Sequence, residues 1–398
     1  MGRSMDTFEY DVCIVGGCGR VGLPLGLLLA DRGQRVVLYD INAAAVAKVN
    51  AGQMPYREPD ADAVLARVRQ RTLSVTTDID VVRRARIVIL TIGTPVDEHI
   101  NPHLTPVVRC VQDLAPHLQD TQTVILRSTV LPGTTAYVRD LLARAGKQPA
   151  VCFCPERVAE GAAFHEITSL PQLVAGMDDR GVEVARALFG LLTAELIVLT
   201  PIEAELTKLF TNVWRYMKFA TANQFYMIAA EHGADFRKIG HAMRHAYPRG
   251  ADFPRPGFTA GPCLFKDTMQ LAAFYHHHFF LGHAAMLVNE GMPDFLRDQL
   301  KREHDLSQLT IGILGMTFKP EVDDIRESLA FKLKKLLLFE GTTVLCADEY
   351  WRDASLVDKS ELIAKSDLIV IGCPHRAYRT LDFHGKRVVD IWESLEPL

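Results

Sequence analysis

Short apolar runs of strand length alternate with longer helical segments along the first half of the chain. These runs occupy 11–16, 36–40, 87–93, 123–129, 150–155 and 196–200. Apolar runs of this length, separated by helical segments, are typical of βαβ units whose strands form a parallel sheet. The pattern therefore predicts an α/β domain that covers residues 1–200.

The next segment has a different pattern, because residues 201–234 contain no glycine or proline between Pro201 and Gly233. Proline suits the first turn of a helix, and glycine suits the residues that follow its end. Apolar positions recur close to a 3.6-residue period, at Leu206, Leu209, Phe210, Trp214, Met217 and Phe219. We therefore predict one long helix, a spine between domains or the seam of a dimer, within a central helical domain over 201–304.

Strand–helix alternation returns after residue 308. Apolar runs at 309–315, 342–348, 367–374 and 388–392 accompany a helical segment at 328–340. This pattern predicts a second α/β domain over 305–398.

Composition narrows the class of protein. The chain has 398 residues, of which 48% are hydrophobic and 23% are charged, as in soluble globular proteins. A net charge of −4 gives no reason to expect a nucleic-acid partner. The apolar runs are too short to span a membrane, and the N-terminus lacks a secretory signal. We therefore expect a cytoplasmic protein whose eight cysteines are reduced.

A glycine-rich motif lies between the first strand and the first helix. It reads Gly17-Cys18-Gly19-Arg20-Val21-Gly22, and the second strand ends in Asp40. The glycines allow a tight turn, a close approach of the pyrophosphate, and close packing of helix on strand, while the acid accepts the ribose hydroxyls. The motif predicts an N-terminal Rossmann domain that binds NAD, since a carboxylate there repels the 2′-phosphate of NADP. The domain at 305–398 is Rossmann-like but lacks the motif.

Six further motifs accompany this one, in a fixed order along the chain. With the first, they are GGCGRVGLPLG at 16–26, GTPVDE at 93–98, RSTVLPGTT at 127–135, CPERVAEG at 154–161, ELTKLFTN at 205–212, GPCLFKD at 261–267 and GMTFKPEVDDIRES at 315–328. Over nearly its whole length the chain resembles the nucleotide-sugar 6-dehydrogenases of the UDP-glucose/GDP-mannose dehydrogenase family.

The resemblance implies an NAD-dependent, metal-free, four-electron oxidation of the C6 alcohol of a UDP-sugar to a carboxylate. The aldehyde would stay tethered as a thiohemiacetal on Cys263 and become a thioester that water hydrolyses. Lys208 would stabilise the C6 alkoxide or act as base, and Asn212 would hold the same oxygen or a water. Asp267 would position Lys208 and water.

Further site residues follow from the resemblance. Thr129 would bind water, and Glu156 would assist thioester hydrolysis. Glu160 would lie near the sugar. Substrate binding would also involve Arg157, Lys319, Arg326 and Arg249, the last donated across a homodimer. The predicted cofactor residues are Gly17, Gly19, Arg20, Val21, Gly22, Asp40 and Thr94.

The residues alone leave plainer interpretations open. Lys208 and Asn212 could lie on a solvated helix surface, Asp267 could be a helix cap, and Glu160 could be a surface carboxylate. His276, His277 and His278 would diverge on a helix, so we expect no metal site there.

Two other functions compete with the leading one, namely a two-electron β-hydroxyacid-type dehydrogenase and an inactive NAD-binding protein. The sugar also stays open. Arg157-Val158 stands where the UDP-glucose branch more often has Phe-Leu, which favours a UDP-N-acetylhexosamine. Ala260-Gly261 replaces the usual Gly-Gly.

Overall fold

The structure is a computed structural model that describes residues 8–94, 96–97, 104–259 and 261–395. The chain divides into two compact units, residues 1–210 and residues 211–398. The boundary between them falls within one long helix, Pro201–Glu231. The finer division into domains over 1–200, 201–304 and 305–398 stays a prediction.

The first unit contains an eight-stranded sheet. Its strands are β1 (Tyr10–Val15), β2 (Val36–Tyr39), β3 (Leu73–Thr76), β4 (Ala85–Leu90), β5 (Thr123–Leu126), β6 (Ala150–Phe153), β7 (Gln172–Gly176) and β8 (Leu196–Leu199). The order is β3-β2-β1-β4-β5-β6-β7-β8. Neighbouring strands are parallel, as predicted, except for β6 and β7, which are antiparallel.

Helices cover both faces of this sheet, so its central strands are apolar on both sides. The helices are α1 (Gly22–Asp31), α2 (Ala43–Asn50), α3 (Ala61–Val68), α4 (Thr105–Leu114), α5 (Thr134–Arg144), α6 (Ala163–Ser169) and α7 (Asp179–Phe189). In β1, Val12 and Ile14 pack into one core cluster. Cys13 and Val15 face the opposite side and pack into the other.

The long helix α8 (Pro201–Glu231) confirms the uninterrupted segment seen in the sequence. It ends three residues before the predicted limit, because Gly233 adopts a left-handed φ of 65°. The Ala234 N–H then donates to the Ala229 carbonyl at 2.9 Å. A glycine in this conformation is a common helix terminator.

Helices and a small sheet make up the rest of the second unit. The helices are α9 (Phe236–Arg244), α10 (Leu264–Phe274), α11 (Phe280–Glu303), α12 (Leu329–Phe339) and α13 (Lys359–Lys365), and the strands are β9 (Thr310–Leu314), β10 (Thr343–Ala347), β11 (Leu368–Ile371) and β12 (Arg387–Val389). The sheet is parallel, in the order β10-β9-β11-β12. Short 3₁₀ helices occupy Ile79–Arg84, Ala115–His117, Pro248–Gly250, Leu306–Gln308 and Arg376–Thr380.

The helical interpretation of the three consecutive histidines is wrong. His276, His277 and His278 lie in the turn between α10 and α11, where His276 and His277 have φ values of 51° and 59°. Backbone hydrogen bonds hold this turn, including His277 N–H to the Ala272 carbonyl at 2.7 Å. Within the described ranges, no group of three or more His, Cys, Asp or Glu side chains is placed to hold a metal ion. No helix in those ranges has the length and hydropathy needed to cross a membrane.

Candidate active site

The glycine turn after β1 has three glycines with different constraints. A Cβ on Gly17 would lie 2.7 Å from the Ile14 carbonyl oxygen and from Leu38 Cβ, and one on Gly22 would meet the Gly16 carbonyl oxygen at 2.7 Å. A Cβ on Gly19 would meet only the Gly16 oxygen, at 3.2 Å. The fold itself therefore excludes side chains at Gly17 and Gly22. At Gly19 the open space fits a pyrophosphate that approaches the backbone.

Asp40 lies directly after β2, where the sequence predicts it. Its Oδ2 accepts the Cys18 N–H and its Oδ1 accepts the Asn42 N–H, both at 2.9 Å. These bonds fix the carboxylate next to the glycine turn. Each carboxylate oxygen can accept a further hydrogen bond, so the group fits the ribose hydroxyls of NAD.

Arg20, in the glycine motif, pairs with Glu160 through Nη1 and Oε1 at 2.5 Å. Its guanidinium carbon lies 4.7 Å from the centre of the Tyr56 ring. Tyr56 donates from its hydroxyl to the Gly19 carbonyl at 3.0 Å, and burial raises the pKa of this phenol well above its usual value. The structure thus pairs a predicted cofactor residue directly with a predicted sugar residue, next to Tyr56, which the sequence analysis missed.

Glu58 is a second carboxylate that the motifs did not indicate. It is 5% exposed, and it accepts hydrogen bonds from the Gly161 N–H at 3.1 Å and the Ala163 N–H at 2.9 Å. It therefore fixes the loop that follows Glu160. Its neighbours in sequence carry no signal for this contact, since the partners are about a hundred residues away.

Glu156 is held on both oxygens. Oε2 accepts from the guanidinium of Arg127, and Oε1 accepts the N–H groups of Arg157 at 2.8 Å and Val158 at 3.0 Å. Arg127 is 1% exposed and also donates to the Cys154 carbonyl at 3.1 Å. Arg127 belongs to a quoted motif, yet the sequence analysis gave it no role. The structure makes it the fixed charge partner of Glu156.

Two predicted threonines meet in the same unit. Thr94 Oγ1 donates to the Thr129 carbonyl at 2.7 Å, so the predicted cofactor residue and the predicted water-binding residue are neighbours. The Arg157 side chain turns toward the protein and donates to the Pro171 carbonyl. The rest of the GTPVDE motif lies partly outside the described residues, at position 95 and from position 98 onward.

The predicted residues of α8 are buried. Lys208 is 8% exposed and Asn212 is 5% exposed, so a solvated helix surface does not describe them. Asn212 Nδ2 donates to Asp267 Oδ2 at 2.5 Å, and Lys266 Nζ lies 2.5 Å from Asp267 Oδ1. Asp267 is fully buried inside α10 and does not cap it. The structure brings Asn212 and Asp267 together, a contact that the resemblance did not specify. The roles assigned to Lys208, Asn212 and Asp267 stay predictions.

Glu205, at the start of α8, is a further residue that the sequence analysis missed. It is 1% exposed and accepts from the Gly133 N–H at 2.6 Å, the Thr135 N–H at 2.8 Å and the Thr135 hydroxyl at 2.6 Å. Burial raises the pKa of this carboxyl above its usual value, against the lowering effect of these bonds. It fixes the first turn of α5, which begins within the motif that carries Thr129.

Cys263 is the N-cap residue of α10 and is exposed. The Asp267 N–H donates to its carbonyl at 2.8 Å, which closes the first helical turn. Gly261 has a φ of 106°, and a Cβ there would meet the Phe318 ring at 2.5 Å. Ala260 lies outside the described residues. A helix N-terminus stabilises a thiolate, so this location suits a nucleophile.

The cationic residues predicted for the substrate occupy three places in the second unit. Arg249 is exposed, donates from Nε to the Tyr247 hydroxyl at 2.8 Å, and borders a cavity of about 350 Å³. Arg326 pairs with Asp324 through Nη2 and Oδ2 at 2.5 Å. Lys319 lies in the loop after β9, and its carbonyl accepts the Thr317 hydroxyl at 3.1 Å.

A glycine turn with an acid after β2 is typical of a dinucleotide-binding domain, and an exposed thiol at a helix N-terminus is a candidate nucleophile. The NAD binding domain of the UDP-glucose/GDP-mannose dehydrogenase family matches residues 10–192. The family's central domain matches residues 202–290, and its UDP binding domain matches residues 312–397. The chain therefore belongs to the UDP-glucose/GDP-mannose dehydrogenase family, which confirms the resemblance and the NAD cofactor.

Individual relatives point the same way. The UDP-N-acetyl-D-mannosamine dehydrogenase of Methanocaldococcus jannaschii is 30% identical over 93% of this chain and 87% of its own. The NDP-N-acetyl-D-galactosaminuronic acid dehydrogenase of Ralstonia nicotianae is 28% identical over 96% of this chain and 95% of its own. Among solved structures, a UDP-glucose dehydrogenase from Pyrobaculum islandicum matches with a TM-score of 0.90 and 26% identity, covering 99% of this chain and 96% of that chain.

Proposed function

We propose that this enzyme oxidises the C6 alcohol of a UDP-N-acetylhexosamine to the uronate, with Cys263 as the covalent tether. The observation that carries the proposal is the location of Cys263, exposed at the N-terminus of α10. Its helix also holds Asp267, bonded to Asn212. The family relationship supports the reaction class, and the names of the relatives support an N-acetylated sugar.

The proposed reaction consists of two successive oxidations followed by a hydrolysis. The C6 alcohol loses a proton and a hydride and becomes an aldehyde, and Lys208 stabilises the alkoxide that precedes hydride loss. The Cys263 thiol adds to the aldehyde as a thiohemiacetal, which loses a second proton and hydride to give a thioester. Water then releases the carboxylic acid and regenerates the thiol. Bound NAD supplies the acceptor for each hydride.

The carboxylates have separate roles in this proposal. Asp267 positions Asn212 and Lys208, and Glu156, with Thr129, helps to orient the hydrolytic water. Its bonds to Arg127 and to the Arg157 and Val158 N–H groups hold the Glu156 carboxylate in one orientation, in which it serves as an acceptor for a water proton. Glu160, Arg157, Arg249, Lys319 and Arg326 bind the nucleotide sugar.

The proposal also includes a homodimer, which is argued from an exposed apolar face of α8. Three side chains of α8 that lie on one face are exposed, namely Trp214 at 58%, Phe225 at 42% and Ile228 at 49%. Large apolar side chains clustered on a helix face are typical of an interface. We infer that a second copy of this chain covers them and that Arg249 reaches the partner's site.

A substrate panel tests the function. Purified enzyme is assayed with NAD and UDP-GlcNAc, UDP-ManNAc, UDP-glucose or GDP-mannose, and both the rate and the final NADH yield are recorded. We expect the highest kcat/KM with a UDP-N-acetylhexosamine and two NADH per sugar. The highest kcat/KM with UDP-glucose would contradict the sugar, one NADH per sugar would favour a two-electron dehydrogenase, and no NADH an inactive NAD-binding protein.

A further inference from the structure

The loop after β9 carries Lys319, and its backbone is held by a buried carboxylate. Asp348 follows β10 and is 3% exposed. Its Oδ2 accepts the N–H groups of Met316 at 2.6 Å and Thr317 at 3.1 Å. Its Oδ1 accepts the N–H of Tyr350 at 2.8 Å. The start of the Lys319 loop is therefore fixed to the end of the neighbouring strand.

A buried histidine holds the other side of the same loop. His375 is 1% exposed, and its Nδ1 accepts the Glu321 N–H at 3.0 Å. Because Nδ1 accepts, the hydrogen-bond pattern assigns the ring proton to Nε2. Nε2 lies 3.1 Å from Thr317 Oγ1 and 3.4 Å from Asp348 Oδ2.

The Thr317 hydroxyl connects His375 to the Lys319 backbone through two hydrogen bonds. It accepts from His375 Nε2 and donates to the Lys319 carbonyl at 3.1 Å. The Lys319 carbonyl and the Glu321 N–H, on either side of Pro320, are thus both tied to one imidazole. No other ring with the same packing could accept at one edge and donate at the other.

The backbone of this loop also stores strain. Glu321 has a φ of 67°, which a residue with a Cβ adopts only at a cost. Its carboxylate accepts the Arg376 N–H and the Tyr350 hydroxyl, each at 2.8 Å. Such a conformation persists only where surrounding contacts hold it, and the bond to His375 is one of those contacts.

We propose that His375 is a positioning residue for nucleotide-sugar binding, acting through Thr317 and the Glu321 N–H to fix the loop that presents Lys319. The proposal rests on the proposed function, in which Lys319 binds the substrate's UDP moiety. Packing alone is the competing explanation, since the rings of Tyr350 and Tyr378 meet the imidazole edge-on at 5.1 and 5.2 Å.

Four single variants of the full-length enzyme, together with one double variant, distinguish positioning of the Lys319 loop from packing of the imidazole. His375→Phe keeps an aromatic ring but removes both hydrogen bonds, and Thr317→Val removes the relay to Lys319. His375→Asn restores an acceptor for the Glu321 N–H. Tyr378→Phe changes the packed ring's hydroxyl and leaves the network intact, so it is the matched control. UDP and NAD affinities are measured by calorimetry, KM and kcat with the best sugar of the panel, and Tm by thermal unfolding.

We expect His375→Phe and Thr317→Val each to weaken UDP binding by about tenfold, the effect of losing one or two buried hydrogen bonds. KM for the sugar should rise more than kcat falls, and NAD affinity should stay unchanged. His375→Asn should recover part of the lost UDP affinity. The double variant His375→Phe/Thr317→Val should bind UDP no more weakly than the single variant with the lower affinity.

Wild-type UDP affinity in both Thr317→Val and a folded His375→Phe overturns the proposal. Equal loss of UDP and NAD affinity, together with a lowered Tm in all three network variants, also overturns it in favour of packing. If His375→Phe does not fold, Thr317→Val alone decides. Failure of the wild type to bind UDP would instead overturn the proposed function.

Discussion

Burial separates Cys263 from the other cysteines of the chain. All eight lie in the described residues; Cys110 is half-buried, six are buried, and Cys263 is exposed. Burial raises the pKa of Cys13, Cys18, Cys110 and Cys154 to about 12, so these thiols are not ionised at neutral pH. Only a thiolate attacks an aldehyde or an alkylating agent efficiently, so the exposed Cys263 remains the candidate for the proposed tether.

Replacing Cys263 by serine should abolish overall turnover while leaving NAD and UDP binding intact. Serine is a far weaker nucleophile, so we expect a loss of at least roughly three orders of magnitude in kcat. The measurement is NADH formation under saturating sugar, with intact-protein mass spectrometry to detect an acyl adduct. The control is Cys110→Ser, which should retain full activity.

Turnover of Cys263→Ser at the wild-type rate, with two NADH per sugar, would refute the tether. Release of free aldehyde in stoichiometric yield by the wild type would do the same. Lys208→Ala should differ from Cys263→Ser, because it blocks the first oxidation and leaves no adduct.

Glu205 should give the enzyme a pH-dependent stability. Its pKa is raised in the folded state, so between about 4.5 and that raised value the folded chain binds more protons than the unfolded chain. Stability contributed by Glu205 is therefore greatest at low pH and falls as pH rises through the raised pKa. Glu205→Gln should destabilise by about 1–3 kcal/mol, because its amide N–H₂ faces the Gly133 N–H donor.

Urea unfolding of wild type and Glu205→Gln at several pH values measures this effect. The free-energy difference between them should be larger near pH 4.5 than at pH 7. A difference that grows with rising pH would contradict the raised pKa. Glu183→Gln is the control, because Glu183 lies in the same unit, on α7, and is exposed.

The sequence predicted candidate site residues but not how they pair. The glycine motif and Asp40 were found from spacing alone, because their geometry is set within one βαβ unit. The pairings of Arg20 with Glu160 and of Arg127 with Glu156 join residues far apart in the chain. No local pattern encodes them, since they arise only when separate strands are aligned in the sheet.

Strand–helix alternation predicted six of the eight strands in the sheet of the first unit and missed β3 (Leu73–Thr76) and β7 (Gln172–Gly176). The predicted run at 87–93 overshoots β4 (Ala85–Leu90), and the run at 123–129 overshoots β5 (Thr123–Leu126). The residues beyond each strand continue directly from it but form the loops that carry Thr94 and Thr129. The antiparallel direction of β7 has no signature in an apolar run, because direction depends on the connection.

The three glycines of the motif should respond differently to a methyl group. Gly17→Ala places a Cβ 2.7 Å from a carbonyl oxygen and should destabilise the fold by about 1–3 kcal/mol. Gly19→Ala meets only one atom, at 3.2 Å, so its Tm should stay within a few degrees of the wild type. Its NAD affinity should fall by about tenfold or more, because the methyl group occupies the space of the pyrophosphate.

Thermal unfolding without ligand and NAD titration by fluorescence measure the two effects separately. Gly33→Ala is the control for a glycine with no atom within 4 Å of the added Cβ, although its φ of 84° adds strain. Unchanged NAD affinity in Gly19→Ala would remove that glycine from the cofactor site.

The chain forms two compact units, and three family domains match it. The boundary between the two units lies inside α8. Residues 1–210 hold the glycine turn, and residues 211–398 hold Cys263 and the Lys319 loop. The predicted cofactor residues lie in the first unit, whereas the predicted substrate residues are divided between the two, since Arg157 and Glu160 lie in the first. The net charge of −4 means that an anionic nucleotide sugar depends on local cations such as Lys319 and Arg326.

Self-association should depend on the exposed face of α8. Trp214, Phe225 and Ile228 fall within one narrow arc of the helix, because spacings of 11 and 3 residues nearly complete whole turns. Trp214→Glu should weaken the homodimer by at least about tenfold, since a charge would be buried against apolar side chains. Sedimentation velocity at micromolar concentration should show a dimer for the wild type and monomer for the variant.

The same variant links assembly to activity. If Arg249 completes the partner's site, dissociation of Trp214→Glu should raise KM for the nucleotide sugar, and Arg249→Ala should raise it without dissociating the dimer. The exposed residue Lys335, on α12, offers Lys335→Gln as a control, because it also lowers the net charge by one but lies away from α8. A wild-type monomer with full activity would contradict the shared site, because an arginine donated across an interface cannot act in a single copy.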